Sequence, residues 1–297
     1  MVTIILNGKK AGLPSVREAI TTFRKEVDGV QVRVTYEYGD VERFMLEAIQ
    51  NGVKRLIIGG GDGSVNEIVD AMAKLPRETR PELAILPLGT ANDFATACEI
   101  PLVSLDALRF AMSGYATPID IVKANDRHFI NTATAGFGAE VTADTPIELK
   151  NFLGGGAYTL NGVLKAMNFI PYSSDITIPQ KQYHNPAIMA AAICNGRQAG
   201  GGQILAPNAF INDGLLDVIG ISQFKLMNIP QVLSEIVNPS FDGEFVRYSQ
   251  IPWIVSESKE IIPVNLDGEP YQSHKIRFEV VPLAIDLVLA ADCPCLV

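Results

Sequence analysis

Positive charge is in short supply in this chain. Its 297 residues carry 24 Lys and Arg against 33 Asp and Glu, a net charge of -9, which excludes a nucleic-acid backbone as the main partner. Any attraction to anionic lipid must then be local. The three histidines, His128, His184 and His274, lie far apart, and neither HExxH nor a GxSxG elbow occurs, so zinc-peptidase and serine-hydrolase chemistry have no carrier. The four cysteines, Cys98, Cys194, Cys293 and Cys295, show no zinc-site or redox CxxC spacing. They are expected to be inert thiols of a reducing compartment. No stretch approaches the roughly 18 apolar residues of a membrane span, the nearest being Ala187 to Cys194. The apolar run Met1 to Leu6 is too short for a signal peptide and is followed, not preceded, by Lys9 and Lys10. A soluble or peripheral cytoplasmic protein is expected.

Hydrophobic residues make up 47% of the chain, enough for two domains with real cores, and no internal repeat is present. The first 120 residues alternate β-rich and helix-period runs, the pattern of a mainly parallel, doubly wound sheet. Val2 to Leu6 reads as a strand. A helix follows, with Ser15 and Glu18 spaced as a capping box and Val16, Ala19, Ile20, Phe23 and Val27 on one face. Val30, Val32, Val34 and Tyr36 alternate as a strand, and Asp40 is positioned to cap the next helix, with Gly52 ending it. Arg55 to Ile58 and Leu83 to Leu86 are further strands. Beyond about Ala116 the runs Thr117 to Val122, His128 to Thr134, Ala187 to Ile193 and Leu215 to Ile221 predict a predominantly β half, with helices over Ala157 to Phe169 and Phe224 to Val237. Asn125-Asp126 and Asn212-Asp213-Gly214 read as hairpin turns.

Two segments carry chemistry. Gly59-Gly60-Gly61-Asp62-Gly63-Ser64 joins a strand to a helix that starts with Val65, Asn66 and Glu67. Glycines there let backbone N–H groups approach an anion, and the helix dipole favours phosphate. No Lys-Ser or Lys-Thr follows, as a P-loop requires, and Ser64 replaces the third glycine of GxGxxG. Asp62 would repel phosphate unless a divalent cation intervened, so the loop points to a Mg²⁺-nucleotide. Pro87-Leu88-Gly89-Thr90-Ala91-Asn92-Asp93-Phe94 also follows a strand, at the same carboxyl edge where open α/β sheets bind ligands. A helix cap at Asn92 or Asp93 is the plain alternative.

Together these segments resemble the diacylglycerol kinase catalytic-domain family, and within it the YegS-like bacterial lipid kinases. Asn195 to Gly202, Asn212-Asp213-Gly214-Leu215-Leu216 and Leu266-Asp267-Gly268-Glu269-Pro270 extend the resemblance along the chain. One departure is Ser64, where the family usually has Thr. The resemblance implies that Thr35, Gly61, Asp62, Gly63, Ser64, Val65, Asn66, Glu67 and Thr90 bind ATP. It implies that Asp62, Asp93 and Asp120 position the catalytic Mg²⁺ through water, and that Glu269 is the general base. Asp213, with the carbonyls of Phe210 and Leu215, would hold a structural Mg²⁺ or Ca²⁺. Read without the resemblance, Glu269 is a solvated turn carboxylate and Asp213 part of a turn.

The expected architecture is an NAD kinase/phosphofructokinase-like nucleotide-binding α/β domain over residues 1–120, completed by 283–297 with the strand Ala284 to Leu289, and a β-sandwich lipid domain over 121–282. The expected activity is ATP- and Mg²⁺-dependent transfer of phosphate to a hydroxyl of phosphatidylglycerol or diacylglycerol, part of phospholipid biosynthesis, in a cleft between the domains and transiently at the inner membrane face. The glycines at 154–156 and 200–202 would rim the acyl slot. A soluble-substrate kinase shares the first glycine loop, but the second motif favours a lipid kinase. A non-catalytic lipid or nucleotide binder would need no such set of carboxylates as Asp62, Asp93 and Glu269.

Overall fold

A computed structural model describes residues 2–136 and 173–297. The helix expected over Ala157 to Phe169 and the glycines at 154–156 lie outside those residues. The chain forms two compact units, one of Met1–Ile121, Ile211–Asp213 and Pro282–Val297, the other of Val122–Phe210 and Gly214–Val281.

In the first unit β1 (Val2–Asn7), β2 (Val30–Thr35), β3 (Arg55–Gly60) and β4 (Glu82–Pro87) run parallel in the order β4-β3-β1-β2. Fully buried Ile4, Ile57 and Leu86 face Val16, Ala19 and Phe23 of α2 (Pro14–Glu26) in one core. The other helices are α1 (Gly8–Ala11), α3 (Asp40–Gln50), α4 (Asp62–Ala73), α5 (Asp93–Ala97) and α6 (Ser104–Ser113). Strand pairing sets Asn7 opposite Thr35, Leu6 opposite Gly59 and Gly60 opposite Pro87. The ends of all four strands therefore meet at one carboxyl edge.

The last strand, β16 (Glu269–Leu289), ends in this unit, where Leu287 pairs with Leu83 in parallel. Two arginines fix the segment leading to it. Arg77 bonds the Leu283 carbonyl at 2.9 Å and Asp286 at 2.5 Å, and Arg80 donates to the Ala284 carbonyl at 2.7 Å.

The second unit is antiparallel. β5 (Tyr115–Ala124) runs into it and turns at Asn125, φ +54°, into β6 (Arg127–Phe129). Its main sheet runs β14 (Val246–Ile251), β13 (Leu216–Ser222), β10 (Ile188–Cys194), β7 (Thr132–Gly136), β15 (Trp253–Leu266), β16, and the short pair β8 (Ser174–Ile178) and β9 (Lys181–Tyr183) adds to β15. Phe129 and Phe278 meet edge to face at 6.3 Å in its core. Gly200, Gly201 and Gly202, all at positive φ, turn β11 (Gln198–Ala199) into β12 (Gln203–Ile204). Helix α7 (Ile229–Val237) begins after a 3₁₀ turn at Leu226–Asn228, later than the sequence pattern suggests.

Several local expectations are corrected. Pro14 opens α2 and Leu13 is its N-cap, so Ser15 lies inside the helix and no capping box forms. Asp40 is the first residue of α3, not its cap; its carboxylate reaches back to the N–H groups of Tyr36 and Glu37 at 2.7 and 3.1 Å. β2 stops at Thr35, leaving Tyr36 98% exposed. Asn212-Asp213-Gly214 joins no hairpin, because the β13 that follows pairs with β10 and β14. The run from His128 to Thr134 is broken between β6 and β7 at Ile130-Asn131.

Candidate active site

The two glycine motifs touch. A Cβ built on Gly61 would stand 2.9 Å from the Gly89 Cα, one on Gly89 2.6 Å from the Gly61 Cα, and the Leu88 N–H donates to the Gly60 carbonyl at 2.7 Å. Only glycine permits this backbone contact. Gly60 is equally constrained, since its Cβ would sit 2.3 Å from the Ser64 Oγ. Ser64 Oγ in turn accepts from Asn7 Nδ2 at 3.2 Å, and the Thr35 hydroxyl accepts from the Gly8 N–H at 3.3 Å. The side chain of Asn92, in the left-handed region at φ +52°, closes the second loop by accepting from the Gly89 N–H at 2.7 Å and donating to its carbonyl at 3.0 Å. Asn92 is thus a loop clamp, and its side chain makes no helix-capping bond.

Asp62 opens α4 directly after Gly61, and its carboxylate accepts from the Phe94 N–H at 3.3 Å. Burial pushes its pKa above the ordinary aspartate value and the charge of Asp93 pushes the same way, against the N–H groups of Phe94 and Asp93. Asp93 itself is 4% exposed at the start of α5. A carboxylate whose charge is disfavoured by burial and by a neighbouring aspartate, beside a glycine loop, suits a divalent cation, whose charge would remove the conflict.

The remaining residues implied by the resemblance divide. Thr90 and Gly63 are exposed, whereas Gly61, Ser64, Glu67 and Thr35 are half-buried at the same carboxyl edge. Val65 and Asn66 are buried, and Asn66 Oδ1 has no hydrogen-bond partner among the described residues. The N–H groups of Ser64 and Val65 already bond the Gly61 carbonyl at 2.9 and 3.1 Å. Asp120 is fully buried in β5 and its carboxylate accepts from the Leu283 N–H at 2.7 Å. The Asp120 N–H donates to the Ile211 carbonyl at 2.7 Å, which anchors the segment leading to half-buried Asp213. Half-buried Phe210 and Leu215 flank that segment, and the Arg197 guanidinium lies 5.3 Å from the Phe210 ring.

Glu269, exposed, begins β16 after a two-residue turn in which Asp267 and Gly268 have φ of +49° and +96°. Sequence reasoning sees that turn but not what anchors it. The Asp267 carboxylate accepts from the N–H groups of Ile130, Asn131 and Thr132 at 2.9, 3.2 and 2.7 Å, and its own N–H donates to the Thr132 carbonyl at 2.9 Å. Asn265 Oδ1 adds a bond from the Gly268 N–H at 2.7 Å. Among the described residues, Asp62, Asp93 and Asp120 form no close ligand group; the one group of three that does is Cys98, Cys293 and Cys295.

The profile of the diacylglycerol kinase catalytic domain matches residues 1–124, and that of the YegS C-terminal NAD kinase beta sandwich-like domain matches residues 131–289. A "Probable lipid kinase YegS-like" protein of Shewanella frigidimarina is 50% identical over 100% of this chain and 96% of its own. One of the same description from Chromohalobacter salexigens is 46% identical over 96% of this chain and 91% of its own. Among solved structures, a Bacillus anthracis strain Sterne protein provisionally described as a diacylglycerol kinase superposes with a TM-score of 0.78 at 25% identity, covering 98% of this chain and 97% of that one.

Proposed function

The chain belongs to the YegS-like family of the diacylglycerol kinase type, and from that premise we propose that it is a lipid kinase, transferring the γ-phosphoryl group of ATP to a hydroxyl of a membrane lipid such as phosphatidylglycerol or diacylglycerol. The observation that carries the reading is the backbone contact of Gly61 with Gly89, which sets Asp62 and Asp93 beside the start of α4. Phosphoryl transfer requires mostly positioning and charge neutralisation, and this edge offers both.

In this reading the phosphates meet N–H groups at or before Gly63, since those of Ser64 and Val65 are taken by the Gly61 carbonyl. Thr35, whose oxygen accepts from Gly8, keeps its hydroxyl proton to donate to nucleotide, and Thr90 adds an exposed hydroxyl. Asp62 and Asp93 would hold Mg²⁺, which would supply neutralisation of charge on the phosphates. Asp120, bonded to the Leu283 N–H, shapes the same unit from within. Glu269 takes the proton of the acceptor hydroxyl as its oxygen bonds the γ-phosphorus and the bond to ADP breaks. A structural cation at Asp213, with carbonyls of Phe210 and Leu215, would stiffen the segment held by Asp120.

No helix among the described residues is long and apolar enough to cross a membrane. With a net charge of -9, encounter with the inner membrane face is brief and local rather than a stable electrostatic attachment. The reading assigns the enzyme to phospholipid biosynthesis at the cytoplasmic side. Transfer of labelled γ-phosphate to lipid in Mg²⁺-containing mixed micelles tests it; label appearing solely on NAD or fructose 6-phosphate would replace it.

A further inference from the structure

Cys98 lies 195 positions before Cys293 and Cys295 follows two residues later, yet the three sulfurs stand within 4.8 Å of one another in the first unit. Cys98 is the C-cap of α5, with 1% exposure. The other two come from the tail, at 4% and 0% exposure. The Cys295 thiol lies 3.1 Å from the Ala97 carbonyl and the Cys293 thiol 3.6 Å from the Cys98 carbonyl, so the end of α5 and the tail pack together through these cysteines.

The geometry points to a thiolate site, made by Cys98, Cys293 and Cys295, that takes one thiophilic divalent cation of the Zn²⁺ class. Three sulfurs about one zinc, each at about 2.3 Å, lie roughly 4 Å from one another, so the group needs little rearrangement to close on an ion. Among the described residues no carboxylate or imidazole joins the group, and an all-sulfur set selects soft metals over Mg²⁺ or Ca²⁺. The site is thus chemically separate from the oxygen ligands at Asp62, Asp93 and Asp213.

Without metal the Cys98 thiol stays protonated. The hydrogen bonds of Cys98 with Cys293 and then Cys295, followed by burial, push its thiol well above the ordinary cysteine value. Binding must therefore release a proton for each thiolate formed, and affinity rises with pH. Burial in an apolar site favours the neutral complex, two thiolates and one thiol around a divalent ion, over three thiolates with a net charge of minus one. A bound ion would join the tail to α5, whose first residue is Asp93, and the tail's Cys295 carbonyl already accepts from the Ile211 N–H at 2.9 Å.

Titrating the reduced, metal-free protein with Co²⁺ should produce a sulfur-to-cobalt charge-transfer band that saturates at one equivalent and is displaced by Zn²⁺. Zn²⁺ should also raise the melting temperature and release two or three protons per chain. Cys295→Ser should lose the band, and Cys194→Ser, altering a buried cysteine of the second unit, should keep it. A wild-type band that is absent, or that persists in Cys295→Ser, would overturn the site. Should Cys295→Ser fail to fold, X-ray absorption of the wild-type zinc complex decides: a sulfur shell supports the assignment, a nitrogen and oxygen shell refutes it.

Discussion

Individual residues here are constrained by what their neighbours already occupy. Gly89→Ala should destabilise the first unit by about 1–3 kcal/mol and weaken ATP binding, because its Cβ would enter the Gly61 backbone. Thermal melting and nucleotide titration check both effects; a variant of unchanged stability would mean the two loops need not touch. If its carboxylate serves the proposed site rather than the core, Asp62→Asn should lower turnover by roughly a hundredfold with little change in melting temperature. Wild-type turnover would remove Asp62 from the chemistry. The strand, glycine turn and helix start around Asp62 were legible because glycines between an apolar run and a helix-period run mark a tight turn. What escaped was Asp267, read as a turn residue from Asp-Gly alone. Its acceptor role toward Ile130, Asn131 and Thr132 joins chain segments more than 130 positions apart, a contact that no local pattern encodes.

Elements are held by turns whose side chains look back along the chain. Asp40 closes the connection between β2 and α3, and the Tyr36 N–H, the Arg43 guanidinium and the Glu37 N–H hold its pKa at about 2. An unfolded aspartate titrates near 3.9, so this contribution to stability is complete above about pH 4 and disappears as the pH falls towards about 2. Asp40→Asn should lower stability at neutral pH and flatten its decline across that acid window. Acid unfolding profiles of the two proteins provide the comparison, and parallel profiles would contradict the assignment. Likewise Asp267→Ala should cost about 2 kcal/mol or more, since it orphans backbone donors of the β6–β7 connection and loosens the turn preceding Glu269. Strand runs and apolar faces predicted these elements well, because β1, β3 and β4 are buried on both faces and read as unbroken apolar runs. N-caps did not follow from pattern, whereas Gly52 does end α3 in the left-handed region at φ +71°. Pro14 displaced the Ser15 capping box, and Asp40, sitting one residue past the cap, bonds the turn before it.

At the scale of the molecule, the chain returns to its first unit twice, through Ile211–Asp213 and through Pro282–Val297. Leu287 is fully buried where β16 pairs with β4, so Leu287→Ala should cost about 2–5 kcal/mol although it stands over 200 positions from its partner Leu83. The returning strand was anticipated through family resemblance. The short return at Ile211 was not, because three residues between turns carry no periodicity; it shows in the Asp120 N–H to Ile211 carbonyl bond and in the Ile211 N–H to Cys295 carbonyl bond. The cysteine group escaped for the same reason, since spacing rules read only neighbours in sequence.

In the proposed function the phosphoryl group reaches a lipid hydroxyl through the paired glycine loops and Glu269. The most direct measurement follows labelled γ-phosphate from ATP and Mg²⁺ into phosphatidylglycerol and diacylglycerol micelles, with NAD and fructose 6-phosphate alongside, for the wild type and Glu269→Gln. Labelled lipid from the wild type, and a rate in Glu269→Gln reduced far more than its ATP affinity, is the predicted result. Label confined to a soluble acceptor, or an undiminished rate in Glu269→Gln, would contradict it.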